Sequence, residues 1–111
     1  MEMVQFSIDR GPDAAVLRIR GSLDAYDAAD LETWLDRLLS EPAKRIVVDL
    51  STVAFVDTTS AGALIRLGDL SGGSQVEIVV QSAQVARMLD ALGITDLVPT
   101  TVVLPTESIP A

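Results

Sequence analysis

The chain has 111 residues, enough for one domain that buries about two thirds of its unfolded surface without a metal or disulfide staple. It contains no cysteine and no histidine, which removes disulfides, thiolate nucleophiles, thiolate metal sites and most hydrolase and zinc chemistry. With 8 Lys and Arg against 16 Asp and Glu, the net charge of −8 repels nucleic acid and anionic membrane surfaces and attracts a basic protein partner.

The first segment, "MEMVQFSIDR", lacks the basic and apolar regions of a signal peptide, and no apolar run approaches the ~20 residues of a membrane span, so a cytoplasmic protein without membrane insertion is expected. Val4, Phe6 and Ile8 alternate with Gln5 and Ser7, which predicts a half-buried strand. "RGPD" supplies a turn, and the alternation in "AVLRIR" predicts the hairpin partner. After "GSLDAY", Leu31, Trp34, Leu35 and Leu38 fall on one helical stripe, with Asp27 as the expected N-cap. Trp34 has two readings on that stripe, core residue or contact residue, and the core reading is the commoner.

"RIVVDL" at 45–50 is apolar almost throughout and β-branched, as for a central strand covered on both faces or deep in the core. A second helix is predicted from near Thr58 in "VDTTSAGALIRLGDL". "SGGS" then separates it from a strand, "QVEIVV", at 75–80. Ser82 is a good cap for a third amphipathic helix carrying Val85, Met88, Leu89 and Leu92, and Gly93 is its expected stop. The remainder holds a short edge strand near 101–104 and a loose tail, because three prolines break any long helix there. The order of elements predicts an α/β single domain with a mixed four- to five-stranded sheet and helices packed on it.

The stretch "VDTTSAG" at 56–62 raises the functional question, because a buried strand gives way at once to a carboxylate, three hydroxyls and a glycine. Such a helix start offers unpaired N–H groups and partial positive charge, which suits an anion or a phosphoryl group esterified to a hydroxyl. Capping of the helix alone explains Asp57 and the threonines equally well by local pattern. A single glycine is far from a phosphate-cradling loop, and no P-loop is present.

"GSLD" at 21–24, "VVDLSTVAFVDTTSAGALIRL" at 47–67 and "SAQVARMLDALGITDLV" at 82–98, in that order, resemble the STAS domain family of anti-sigma factor antagonists. The resemblance assigns residues 1–100 to a STAS domain and leaves 101–111 as edge strand and tail. It implies partner switching: the protein binds an anti-sigma factor that is a serine/threonine kinase, and that kinase switches it off by phosphorylation. Carried over, the acceptor is Thr58, with Thr59 as the second candidate, and Asp57 is its neighbour. Asp24 matches the family's other acidic position, expected at the same end of the sheet, although a turn former accounts for it as well.

The kinase would supply ATP and Mg²⁺, a phosphatase could reverse the modification, and this chain itself would hold no cofactor or metal and exist as a monomer or weak dimer. The family's common continuation, Ser-Gly-Leu-Gly, is here Thr59-Ser60-Ala61-Gly62, the acceptor is Thr, and the usual C-terminal helix lacks a counterpart. Asp24, Asp57, Thr58, Thr59, Ser60, Gly62 and Leu67 are the expected partner-binding residues. Leu67 enters because, at 100° per residue, Ala61, Leu64, Ile65 and Gly68 lie on one side of the second helix while Ala63, Leu67 and Leu70 lie on another. Either loops cover the second side or it is an apolar partner surface beside Thr58.

An enzyme is not expected, since Asp24 and Asp57 have no histidine or lysine to complete a catalytic constellation. Two alternatives stay within the fold. One is a regulatory STAS subunit of an ATP-driven lipid transporter, where the threonine only makes contacts, and the other is a STAS scaffold subunit of a stress-sensing complex.

Overall fold

The computed structural model describes residues 3–69 and 75–103. Strand β1 (Gln5–Arg10) turns through Gly11, whose N–H donates to the Ala14 carbonyl at 2.8 Å, into antiparallel β2 (Ala14–Leu23). A 3-10 turn (Ala25–Asp27) leads into α1 (Ala28–Leu39), then β3 (Arg45–Val56), α2 (Thr58–Ala63) and a 3-10 helix (Leu64–Asp69). After these come β4 (Gln75–Val80), α3 (Ala83–Ala91), the single-turn α4 (Ile94–Leu97) and β5 (Thr100–Val102). The expected "SGGS" separator, Leu70, Leu104 and the tail lie outside the described residues.

The sheet runs β1-β2-β3-β4-β5, the same order as the chain, with β2 to β5 mutually parallel. Crossovers between parallel strands are right-handed as a rule, and four strands laid down in one direction therefore send each connection to the same face. Burial follows: Leu17, Ile19, Val48, Leu50, Ile78 and Val80 are fully buried, whereas Val16, Val47, Asp49, Glu77 and Val79 on the alternate positions are only half-buried. This corrects the expectation for "RIVVDL": among the described residues, helices cover one face of β3 only. On the other face Arg18 bonds Asp9 at 3.0 Å and reaches Asp49 at 3.6 Å, which links β1, β2 and β3 across the sheet.

Both β2 and β3 run past their predicted ends. Their pairing continues to Leu23 and Val56 through two register shifts, and Gly21 bends β2 at φ 101°. A side chain there would be strained and would also meet the Met3 carbonyl at 3.2 Å, so only glycine lets β2 pass the start of β1. The extension matters because it brings Leu23 and Val56, and the acids that follow them, side by side.

At the other edge Glu77 ties three strands together, accepting from Arg45 of β3 and from the Thr101 hydroxyl of β5, both at 2.7 Å. The hydrogen bond from Arg45, then that from Thr101, hold its carboxyl below its ordinary value against the opposing effect of burial. A group with a depressed folded-state pKa stabilises fully above its unfolded pKa and loses that contribution as pH falls through the folded value. Glu77→Gln should therefore lower stability by about 0.5–1 kcal/mol at neutral pH. Urea melts of the two proteins should converge below the ordinary carboxylate pKa, and a gap that persists in acid would mean that packing, not charge, was lost.

Helix α1 buries Leu31, Leu35 and Leu38, and α3 buries Val85 and Leu89, as the spacing predicts. Ser82 caps α3 by accepting from Val85 N–H, and Gly93 stops it at φ 77°. Leu92, expected on that stripe, is partly exposed instead. Half-buried Trp34 stacks on Phe6 at 5.6 Å, with the Arg37 guanidinium 4.9 Å over its ring, which clamps α1 to the outer hairpin.

The helix after Thr58 departs from the sequence reading in a way that decides the role of Leu67. It is α-helical for six residues and then tightens to 3-10 winding at Leu64. With three residues per turn, Leu64 and Leu67 eclipse, and Leu67 moves under the face that Ala61 opened. Ala61 and Leu64 are fully buried, Leu67 is 2% exposed, and Ile65 turns outward. Leu67 is therefore a core residue and not part of a partner surface.

Candidate functional site

The C-terminal ends of β2 and β3 build the loop that the sequence singles out. Asp57 leaves β3 in an extended conformation and its N–H donates to the Leu23 carbonyl at 2.7 Å, which pins the exit of one strand to the exit of the other. Its carboxylate accepts from Thr59 N–H at 2.9 Å and its carbonyl from Ala61 N–H at 2.8 Å, so Asp57 is the N-cap of α2. Thr58 and Thr59 are exposed, and neither hydroxyl bonds to another described residue.

Ser60 differs from both. It is 0% exposed, and its Oγ donates to the Asp24 carbonyl at 2.6 Å. That corrects its expected place among the partner-binding residues: the third hydroxyl is a strut that fastens the loop to the end of β2. Gly62 is half-buried, and a Cβ there would meet nothing within 4 Å, so close packing inside the chain does not require glycine.

On the β2 side Asp24 is exposed and caps the 3-10 turn, while Asp27 stands at the N-cap position of α1, as the sequence predicts, without a side-chain cap bond. The Asp24 carboxylate accepts from Tyr26 N–H at 3.0 Å, and Asp24 N–H donates to the Asp27 carboxylate at 2.9 Å. The two acids form a reciprocal box around the 3-10 turn, which leaves Asp27 no side-chain bond to α1. The structure thus brings Asp24, Asp57, Thr58 and Thr59 to one surface held by the Ser60 strut, and it takes Leu67 and Ser60 out of it.

Sequence reasoning passed over the aromatic residues here. Tyr26 is 94% exposed and Phe55 46% exposed, and Phe55 sits opposite Ser22 across the β2–β3 pair. An aromatic between two aspartates, as in "LDAYD", is the signal that could have flagged Tyr26. Charge is segregated as well. The ion pairs Arg10–Glu41, Lys44–Asp13 and Arg45–Glu77 lie at the opposite end of the sheet, whereas Asp24, Asp27, Asp30 and Asp57 have no cationic partner among the described residues. Chemically, the site offers exposed hydroxyls on a pinned loop in an acidic, partly apolar surface.

A model of the STAS domain family matches residues 5–107. Among solved structures, the chain is similar to an anti-sigma factor antagonist from Mycobacterium paratuberculosis, with a TM-score of 0.83 at 18% identity over 95% of this chain and 91% of that one. It is also similar to the anti-sigma factor antagonist SpoIIAA in its unphosphorylated form, with a TM-score of 0.70 at 15% identity over 87% and 88%. The protein TM1081 gives 0.72 at 21% identity over 88% and 81%. At these identities the likeness establishes the fold.

Proposed function

Because this chain belongs to the STAS domain family, we propose that it is an anti-sigma factor antagonist, switched off by phosphorylation of Thr58 by the kinase it binds. The observation that carries the proposal is the contrast among the three loop hydroxyls: Ser60 is buried and bonded, while Thr58 stands free at the first position of α2, directly after its cap. Thr59 is as exposed as Thr58, and the family pattern, acceptor immediately after the loop Asp, selects between them. SpoIIAA, one of the structures this chain resembles, is described in its unphosphorylated form.

In the transfer, Thr58 Oγ forms a bond to the γ-phosphorus of ATP held by the kinase. The bond from that phosphorus to the bridging oxygen breaks, ADP leaves, and the hydroxyl proton passes to a base of the kinase. The loop enters this reaction already ordered, since Asp57 and Ser60 hold it to β2 from both sides of the acceptor. The test is phosphosite mapping after incubation with the cognate anti-sigma factor kinase and Mg-ATP. Modification at Thr58 that disappears in Thr58→Ala, with binding retained, is the expected result. Modification confined to Thr59 moves the site by one residue. None at all, with a kinase that binds tightly, favours the transporter-subunit or scaffold alternatives.

A further inference from the structure

Beside the Thr58 loop, on the far side of Asp24, a groove of about 690 Å³ opens between the start of β1 and the 3-10 turn. Its apolar lining comes from Met3, Val4 and Phe6, and Asp24, Asp27 and Asp30 rim it. Met3 is 86% exposed, and Tyr26, 94% exposed on the turn between Asp24 and Asp27, lies outside the groove's lining and next in sequence to its acids. The capping box fixes that turn, so the ring is presented on a rigid backbone although the described residues leave it almost wholly exposed. Exposed apolar groups of this size on an ordered turn contribute nothing to folding, and they suit a contact surface.

We propose that this groove extends the docking face for the kinase partner and takes from it a long basic side chain, arginine or lysine. The inference rests on the functional reading above. The apolar lining fits an aliphatic stem, the uncompensated carboxylates at the rim fit its charged head, and Tyr26 offers a ring face for a guanidinium. Charge complementarity selects this occupant, because an acidic or neutral partner would leave the rim acids desolvated and unpaired. The groove is continuous with the Thr58 surface through Asp24, whose carbonyl holds Ser60.

The test measures equilibrium affinity for the cognate kinase, by calorimetry or interferometry, for the parent, Tyr26→Ala, Tyr26→Phe and Asp30→Lys. Asp30 is exposed and takes no part in the capping box, so its variant changes rim charge without loosening the turn. Tyr26→Ala should weaken binding about thirtyfold, as loss of a central aromatic anchor does, and Tyr26→Phe should restore most of it. Asp30→Lys should cost about tenfold at low salt, with the deficit shrinking as added salt screens the rim. Circular dichroism should show all variants folded. A parent that binds and is phosphorylated, with Tyr26→Ala and Asp30→Lys unchanged in affinity, would overturn this inference and leave the functional reading standing. A parent that binds no anti-sigma factor kinase overturns both.

Discussion

Thr58→Asp should fold to the same sheet and helices as the parent, with a closely similar melting temperature, and lose about a thousandfold in affinity for the kinase, a change of about 4 kcal/mol. The fold should tolerate the substitution because Thr58 is exposed, its hydroxyl bonds no other described residue, and the contacts that pin the loop belong to Asp57 and Ser60. The proposed interface should not tolerate it. A second carboxylate beside Asp57 would be desolvated against a partner surface built around a neutral hydroxyl, and phosphothreonine adds still more charge at the same place. Titration calorimetry gives the affinity and circular dichroism the fold. If Thr58→Asp binds like the parent, the switch is elsewhere.

Leu67→Glu should fail to fold. Leu67 lies on the buried face of the 3-10 helix at 2% exposure, and a carboxylate there would be buried without a partner, at a cost comparable to the roughly 5–15 kcal/mol that holds a domain together. Leu67→Ala gives the graded version: about 2–5 kcal/mol lost, read as a lower urea midpoint in a protein that still folds. A folded Leu67→Glu with native spectra would show that the side chain can swing to the surface. Only then would the partner-surface reading of this residue return.

The difference between those two residues shows how far the sequence could be read. The exposed position of Thr58 directly after a capping acid was legible because a loop acid, a hydroxyl and a following helix are consecutive residues, and consecutive residues are what a local pattern contains. Ser82 and Gly93 were legible for the same reason, since a cap and a helix stop act on their own neighbours. Leu67 was not, because its face depends on whether the chain winds at 3.6 or three residues per turn, and both windings suit the same letters. The fate of Ser60 was set by the Asp24 carbonyl, thirty-six positions away, and the extra length of β2 and β3 by a bulged register that Gly21 permits. The strand alternation announced the sheet, but the open face of β3 follows from strand order, which no single strand encodes. Asp27 stands at the N-cap position of α1, as the sequence predicts, but that its carboxylate turns back to Asp24 N–H was not legible, because a capping box needs both of its acids to be recognised together.

Strand order has a further consequence during synthesis. Because each strand lies next to the one made before it, the sheet can be extended at one edge as the polypeptide leaves the ribosome, with the hairpin of β1 and β2 as the template. No strand has to be inserted between two already paired, so the nascent domain never has to reopen a finished ladder to proceed. At each stage the unpaired edge is the one the next segment of the same chain will occupy. Among the described residues the last to arrive, β5, is only three residues long, and so short an edge leaves little backbone for a second molecule to pair with.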